Sequence, residues 1–297
     1  LPARESIPLG QHRGTPPTVL VERGDLVKTG LVIARGEGFI SASIHSSVSG
    51  KGIKIVHMID TSGYKRAAIV IQVVGDEWMD GIDRSTNIGR VIKLDGAEII
   101  KTVNEMGIVG LGGATFPSHV KLMLPRGKKA EYLMVNGSEC EPYLTSDHSL
   151  MREKACEILI GVKTMMRALE VKKAIVGIEQ NKEDAFDHMA DMAEGFRGIK
   201  VMKLKVKYPQ GGEKQLIQAL TGREVPSGGL PIDVGAVVFN VSTMFAVYEA
   251  IQKNKPLFER VVTITGKELK ITGNFLVLLG TPVSALLEAA GALPEGT

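Results

Sequence analysis

The chain has 297 residues, 44% of them hydrophobic, with 36 Lys and Arg set against 33 Asp and Glu. That length calls for two or three domains. The charge is dispersed, net +3 and without a basic stripe, which disfavours a nucleic-acid partner. No apolar run approaches the roughly 18–20 residues of a bilayer crossing. Two cysteines, Cys140 and Cys156, make neither a disulfide framework nor the four thiolates of an iron–sulfur cluster. No signal peptide is read, so a cytosolic environment is expected.

Residues 15–56 alternate short β-rich runs with turns at Gly24-Asp25, Lys28-Thr29-Gly30 and Gly50-Lys51-Gly52, the punctuation of a small all-β module. Its pattern resembles the barrel-sandwich module of biotinyl and lipoyl carrier domains. The hairpin tip that holds a lysine in those carriers reads His45-Ser46-Ser47-Val48-Ser49 here, so a structural β module is expected and His45 is read as an ordinary turn residue. Strands follow at 53–59 and 67–74 about a turn at Thr61-Ser62-Gly63. From Asp95 the period becomes helical through Ile99, Ile100, Val103 and Met106, with Gly107 placed as a C-cap. Beyond it the pattern predicts strand 131–136, helix 150–169, strand 173–178, helix 183–195, strand 199–206, helix 213–221, strand 236–239 and helix 242–253. Such alternation implies an α/β domain with a mainly parallel sheet. Residues 261–291 open with VVTITG, then a strand near 274–279 and a helix at 283–290, the outline of a small β-grasp-like module.

Four strand-to-helix junctions carry groups able to do chemistry. GLGGATFPSHVK brings Gly110, Gly112 and Gly113, whose lack of Cβ lets the backbone approach a ligand, and Lys121, a point charge for a phosphate. It is neither a G-x-G-x-x-G fingerprint nor a P-loop. The strand end NGSECEP supplies Asn136, a donor and acceptor for a heterocycle edge, and Glu139 and Glu141, acceptors for sugar hydroxyls. Asp147 downstream is placed as the cap of the helix beginning near 149. Gly211-Gly212-Glu213-Lys214 precedes an amphipathic run, a second place where amides can face an anion. Asn240-Val241-Ser242-Thr243 puts side-chain donors at another helix start. Each motif alone reads equally as a tight turn, a solvated loop or a cap. Together they favour a mononucleotide or flavin site.

GLGGATFPSHVKL, VNGSECEPYLTSDHSLM, YPQGGEKQLIQALTGREVP and VVFNVSTMFAVYEAI closely resemble the C subunit of the Rnf electron-transport complex, an ion-translocating NAD:ferredoxin oxidoreductase. The resemblance runs from about residue 5 to the end. More distantly the chain resembles the NADH-binding flavoprotein subunit of respiratory complex I. It departs from that second pattern at Leu111, where an arginine is usual, and at Lys214, where a glutamate is. The resemblance implies a barrel-sandwich module over 1–80, a Rossmann-like FMN/NADH-binding domain over 81–257 and a β-grasp module of SLBB type over 258–297. It implies FMN held by Gly110, Gly112, Gly113, Lys121, Asn136, Glu139, Gly212, Glu213, Asn240, Ser242 and Thr243, with NADH approaching Phe116, Glu141 and Lys214. The implied activity is NADH oxidation through the flavin, with electrons passing towards 4Fe-4S clusters and ferredoxin. No cluster motif occurs here, so clusters are expected only beyond residue 297. The implied partners are the other subunits of an Rnf-type membrane complex, and the implied location is peripheral, on the cytoplasmic side of the cell membrane. Two alternatives stay open: an Rnf-like flavoprotein serving another acceptor, such as a cobalamin reductase or an amino-acid reductase donor, and a non-catalytic docking subunit.

Overall fold

The computed structural model describes residues 3–59 and 63–291, the side chain of Ile53 aside. The expected turn residues Thr61 and Ser62 lie outside the described residues.

The first seven strands are β1 (Arg4–Pro8), β2 (Thr18–Val19), β3 (Leu26–Val27), β4 (Val32–Arg35), β5 (Ile44–His45), β6 (Gly50–Ile59) and β7 (Lys65–Val73). They form two antiparallel sheets, in the orders β1-β7-β6-β3 and β2-β4-β5. The inward positions Ile7, Val27, Ile33, Ile44, Val48, Ile69 and Ile71 make one core between them. This is the barrel sandwich, with β1 as a strand that periodicity did not reveal. His45 is not a turn residue as expected. It sits in β5, buried, and burial pushes its imidazole pKa down to about 4.

A connecting segment then runs to α1 (Gly96–Glu105). Lys253 holds that segment, donating to Asp83 Oδ2 at 2.7 Å and to the carbonyls of Ser85 and Asn87. Asp95 and Glu98 close a capping box on α1, and Gly107 turns away at φ +66°. There follow α2 (Ser118–Leu122), β8 (Tyr132–Gly137), α3 (Ser146–Glu153), α4 (Ala155–Ala168), β9 (Lys173–Glu179), α5 (Glu183–Ala193), β10 (Ile199–Leu204), α6 (Glu213–Thr221), β11 (Ala236–Asn240) and α7 (Val241–Gln252). The single helix expected over 150–169 is two helices, α3 starting earlier than expected and breaking from α4 at Lys154, whose φ of −129° leaves the helical region.

Strands β8 to β11 form a parallel sheet in the order β10-β9-β8-β11. Both faces are covered. Leu133, Val135, Val176, Val237 and Phe239 point into a core with α1, α4, α5 and α7. Met134, Ile175 and Val238 point the other way, against Leu216, Ile217 and Leu220 of α6. The two-residue strand period thus splits one apolar run between two layers. The strand order turns at β8, from which the chain proceeds to β9 and β10 on one side and returns as β11 on the other. In open α/β sheets a ligand crevice lies at such a point, outside the carboxyl ends of the strands.

Strands β12 (Glu259–Ile264) and β13 (Gly273–Leu278) pair antiparallel, and α8 (Val283–Ala289) follows. These three elements are what the described residues contain of the expected β-grasp module. Among the described residues no helix is long and apolar enough to cross a membrane.

Candidate functional site

The four junctions singled out in the sequence meet at the carboxyl edge where β8 and β11 lie side by side, with Asn136 opposite Asn240 in the register. The glycine-rich loop is closed by a hydrogen bond from Gly110 N–H to the Phe116 carbonyl at 2.9 Å. It is docked on the start of α7 by Leu111 N–H, which donates to Thr243 Oγ1 at 3.0 Å. Gly112 touches the cap of that helix. A Cβ there would lie 3.0 Å from Asn240 Cβ. Gly113 adopts φ +121° with open space beside it, a conformation closed to other residues without strain. Residues 112–114 are exposed, and their amides meet no acceptor among the described residues.

Asn240 caps α7, its Oδ1 accepting from Ser242 N–H at 2.9 Å. Its Nδ2 donates to Asp147 Oδ2 at 2.5 Å, and Ser242 Oγ donates to Asp147 Oδ1. Asp147 is therefore not the helix cap the sequence pattern assigned. It lies in the first turn of α3, facing the start of α7. The capping role falls to Glu139, whose carboxylate accepts from Ser146 Oγ and from the N–H groups of Asp147 and His148. Burial, reinforced by the nearby Glu139 charge, raises the Asp147 carboxyl to about 6. The Ser242 and Asn240 hydrogen bonds and the Arg260 charge oppose that rise.

Glu139 itself has φ +45°. Its turn is fixed from beneath by Lys182, buried, which donates to the Ser138 carbonyl at 2.8 Å and the Glu139 carbonyl at 3.0 Å. Glu179, equally buried, stands 3.8 Å from that ammonium. On the opposite side Asn136 Nδ2 donates to the Gly211 carbonyl at 3.0 Å, holding the Gly-Gly turn against the end of β8. Gly212 is the N-cap of α6. Glu213, in its first turn, accepts from Lys121 Nζ at 2.7 Å, and the same ammonium reaches the Val238 carbonyl.

Three expected residues lie at the rim. Phe116 is half-buried at the end of the glycine loop, Glu141 is exposed with its carboxylate 4.0 Å from Cys140 Sγ, and Lys214 donates outward to the Pro226 carbonyl. Two residues were missed in the sequence. Lys182 carried no local signal, lying in a plain polar stretch before α5. Arg260 sat in a strand assigned to the next module, yet its guanidinium reaches the Leu111 carbonyl of the glycine loop at 3.3 Å.

The arrangement is an outward-facing amide loop on a helix start, an amide side chain at a strand end and acidic groups held in fixed turns. It suits a phosphate joined to a polar planar group. Residues 103–249 match the family described as the Nuo51 FMN-binding domain. Residues 1–76 match the RnfC barrel sandwich hybrid domain. The fold is thus that of the Nuo51 FMN-binding family, with a barrel sandwich ahead of it.

The chain is 46% identical over 296 residues to the C subunit of the proton-translocating ferredoxin:NAD(+) oxidoreductase complex of Clostridium ljungdahlii, covering 99% of this chain and 64% of that protein. It is 42% identical over 286 residues to the C subunit of the Na(+)-translocating ferredoxin:NAD(+) oxidoreductase complex of Acetobacterium woodii, covering 96% of this chain and again 64% of the relative. The chain belongs to the family of these Rnf-type C subunits, and it spans about two thirds of their length. An NAD+-reducing [NiFe]-hydrogenase shares the fold, with a TM-score of 0.57 at 24% identity over 68% of this chain and 40% of the hydrogenase chain.

Proposed function

We propose that the chain is the FMN- and NADH-binding part of a subunit of an ion-translocating electron-transport complex, taking electrons from NADH and delivering them towards iron–sulfur centres and ferredoxin. The observation that supports this best is the convergence of all four junctions at the strand-order reversal, with the outward amides of residues 112–114 beside the start of α7.

In this reading the chain divides into a barrel sandwich over 1–80, a flavin and NADH domain over 81–257 and a β-grasp module from 258. The FMN phosphate sits on the glycine loop and near the α7 start at Asn240, Ser242 and Thr243. Asn136, Glu139, Lys121, Gly212 and Glu213 surround the rest of the flavin, the side chains of Asn136, Glu139, Lys121 and Glu213 already fixed by the hydrogen bonds described. Such preorganisation keeps the cost of ordering them out of the binding step. Phe116, Glu141 and Lys214 stand on the side from which NADH approaches. The flavin, when bound, supplies hydride acceptance and release of electrons one at a time. The protein's part is position and electrostatics. The whole assembly sits at the cytoplasmic face of the membrane, held there by its partner subunits.

Purification in the presence of FMN tests the reading. The expected result is stoichiometric flavin absorbance and its bleaching by NADH under anaerobic conditions. A chain that binds no FMN at micromolar concentration rejects the site. One that binds FMN never reduced by NADH rejects the dehydrogenase role and leaves another electron donor or acceptor.

A further inference from the structure

Three of the basic side chains at this edge of the sheet are already committed. Lys121 is bonded to Glu213 and a carbonyl, Lys182 to two carbonyls beside Glu179, and Lys214 to a carbonyl at the rim. Arg260 is different. It comes from β12, outside the α/β domain, and is half-buried. Its guanidinium has five N–H donors but makes one hydrogen bond among the described residues, the 3.3 Å contact to the Leu111 carbonyl. Burial lowers its pKa, and the Asp147 carboxylate opposes that effect from nearby.

The amides of this site suit a phosphate, but the charged side chains nearest the α7 start are acidic. Asp147 occupies the side chains of Asn240 and Ser242 at the α7 start, and Glu139 lies behind it. A dianion resting on the exposed amides of residues 112–114 would lie on the same side of the sheet as these carboxylates, and like charges repel. The helix start contributes only a partial positive charge. A guanidinium bonded to the glycine loop and acting electrostatically on Asp147 supplies a compensating charge, in a planar donor fork that matches phosphate oxygens.

We propose that Arg260 is the phosphate-reading residue of this site, a cation delivered by the C-terminal hairpin that makes the pocket select a phosphorylated flavin over the unphosphorylated one. The inference rests on the flavin reading above and adds to it a residue and a specificity. It also gives β12 a direct part in ligand recognition.

The test is a fluorescence titration of the flavin-free chain with FMN and with riboflavin, for wild type, Arg260→Met and Arg260→Lys. Wild type binds FMN more tightly than riboflavin. Arg260→Met weakens FMN roughly 30-fold or more, the scale for deleting one partner of a buried charged pair, and leaves riboflavin within about twofold. Arg260→Lys retains the charge without the fork and falls between. The salt dependence of FMN binding flattens in Arg260→Met. Equal loss of both flavins in Arg260→Met, or no loss of either, overturns the proposal, as does a wild type indifferent to the phosphate. A wild type that binds neither flavin rejects the function reading itself, and the two failures are thereby told apart. Circular dichroism checks folding, and Arg260→Lys carries the comparison if Arg260→Met does not fold.

Discussion

The carboxylate of Glu139 accepts a hydrogen bond from the backbone N–H of Asp147 at 2.7 Å, so an acidic residue at a strand end caps a helix that begins seven positions later. A charged acceptor at a helix start gains both from the free N–H groups and from the dipole. Glu139→Ala removes this cap together with the bonds to Ser146 and His148. It is expected to lower stability by about 1–3 kcal/mol, with Glu139→Gln intermediate, as read by urea denaturation. An unchanged midpoint for Glu139→Ala would show that α3 needs no cap.

The glycine loop separates two kinds of cost. Gly113→Ala forces φ +121° on a residue with a Cβ but meets no neighbour, so it costs about 1–3 kcal/mol of local strain. Gly112→Ala instead pushes on Asn240, the α7 cap. Its expected signature is a weakened FMN affinity larger than its loss of stability. If thermal melting falls more than FMN affinity in Gly112→Ala, the close approach is structural alone.

Lys182 is a buried cation between two carbonyls and Glu179. Lys182→Met leaves Glu179 buried without a counter-charge and frees the strained Glu139 turn. The expected loss is about 3–5 kcal/mol, the range for breaking a buried ion pair. Adding Glu179→Gln should recover part of it. A double mutant no more stable than Lys182→Met would mean the turn, not the stranded charge, carries the cost.

Glu5 on β1 is fully buried, with Oε1 accepting from Thr281 Oγ1 at 3.2 Å and Oε2 without a partner among the described residues. Burial raises its carboxyl from 4.5 to about 7, against the Thr281 hydrogen bond. The folded chain therefore binds this proton more tightly than the unfolded chain. Stability from Glu5 is greatest below about pH 4.5, declines through the window up to about 7 and stays low above it. Asp147 acts in the same direction, whereas His45, depressed to about 4, loses stability as the pH falls below its ordinary range. Comparison with Glu5→Gln isolates the one group. The variant should gain on wild type by about 1–3 kcal/mol between pH 5 and pH 8. A pH-independent difference in denaturation midpoints would rule out the titration.

The layered sheet was legible because its strands and helices carry different hydrophobic periods, and the turns between them are marked by Gly, Asn and Asp. The four junctions were legible for the same reason, each being a local strand-to-helix transition. What escaped was set by contacts distant in sequence. Asp147 follows a Thr-Ser pair and reads as a cap, but Glu139 reaches the same amides across the turn. The break at Lys154 leaves no Gly or Pro to announce it. Arg260 lies 149 residues from Leu111, and only the folding back of β12 brings the two together.

The hairpin of β12 and β13, with the turn that follows it, touches both the α/β domain and the barrel sandwich. Thr145 N–H donates to Thr263 Oγ1 and Asn274 Nδ2 donates to the Thr145 carbonyl, at the start of α3. Ser47 Oγ of the barrel sandwich donates to the Leu279 carbonyl, just past β13, and Thr281 meets Glu5. The three regions are therefore not interchangeable cassettes. Excision of the flavin-type domain at the boundary before β12 would cut away an arginine, leave the first turn of α3 without its outer partners and strip a contact surface from the barrel. A transplantable unit has to carry the hairpin with it.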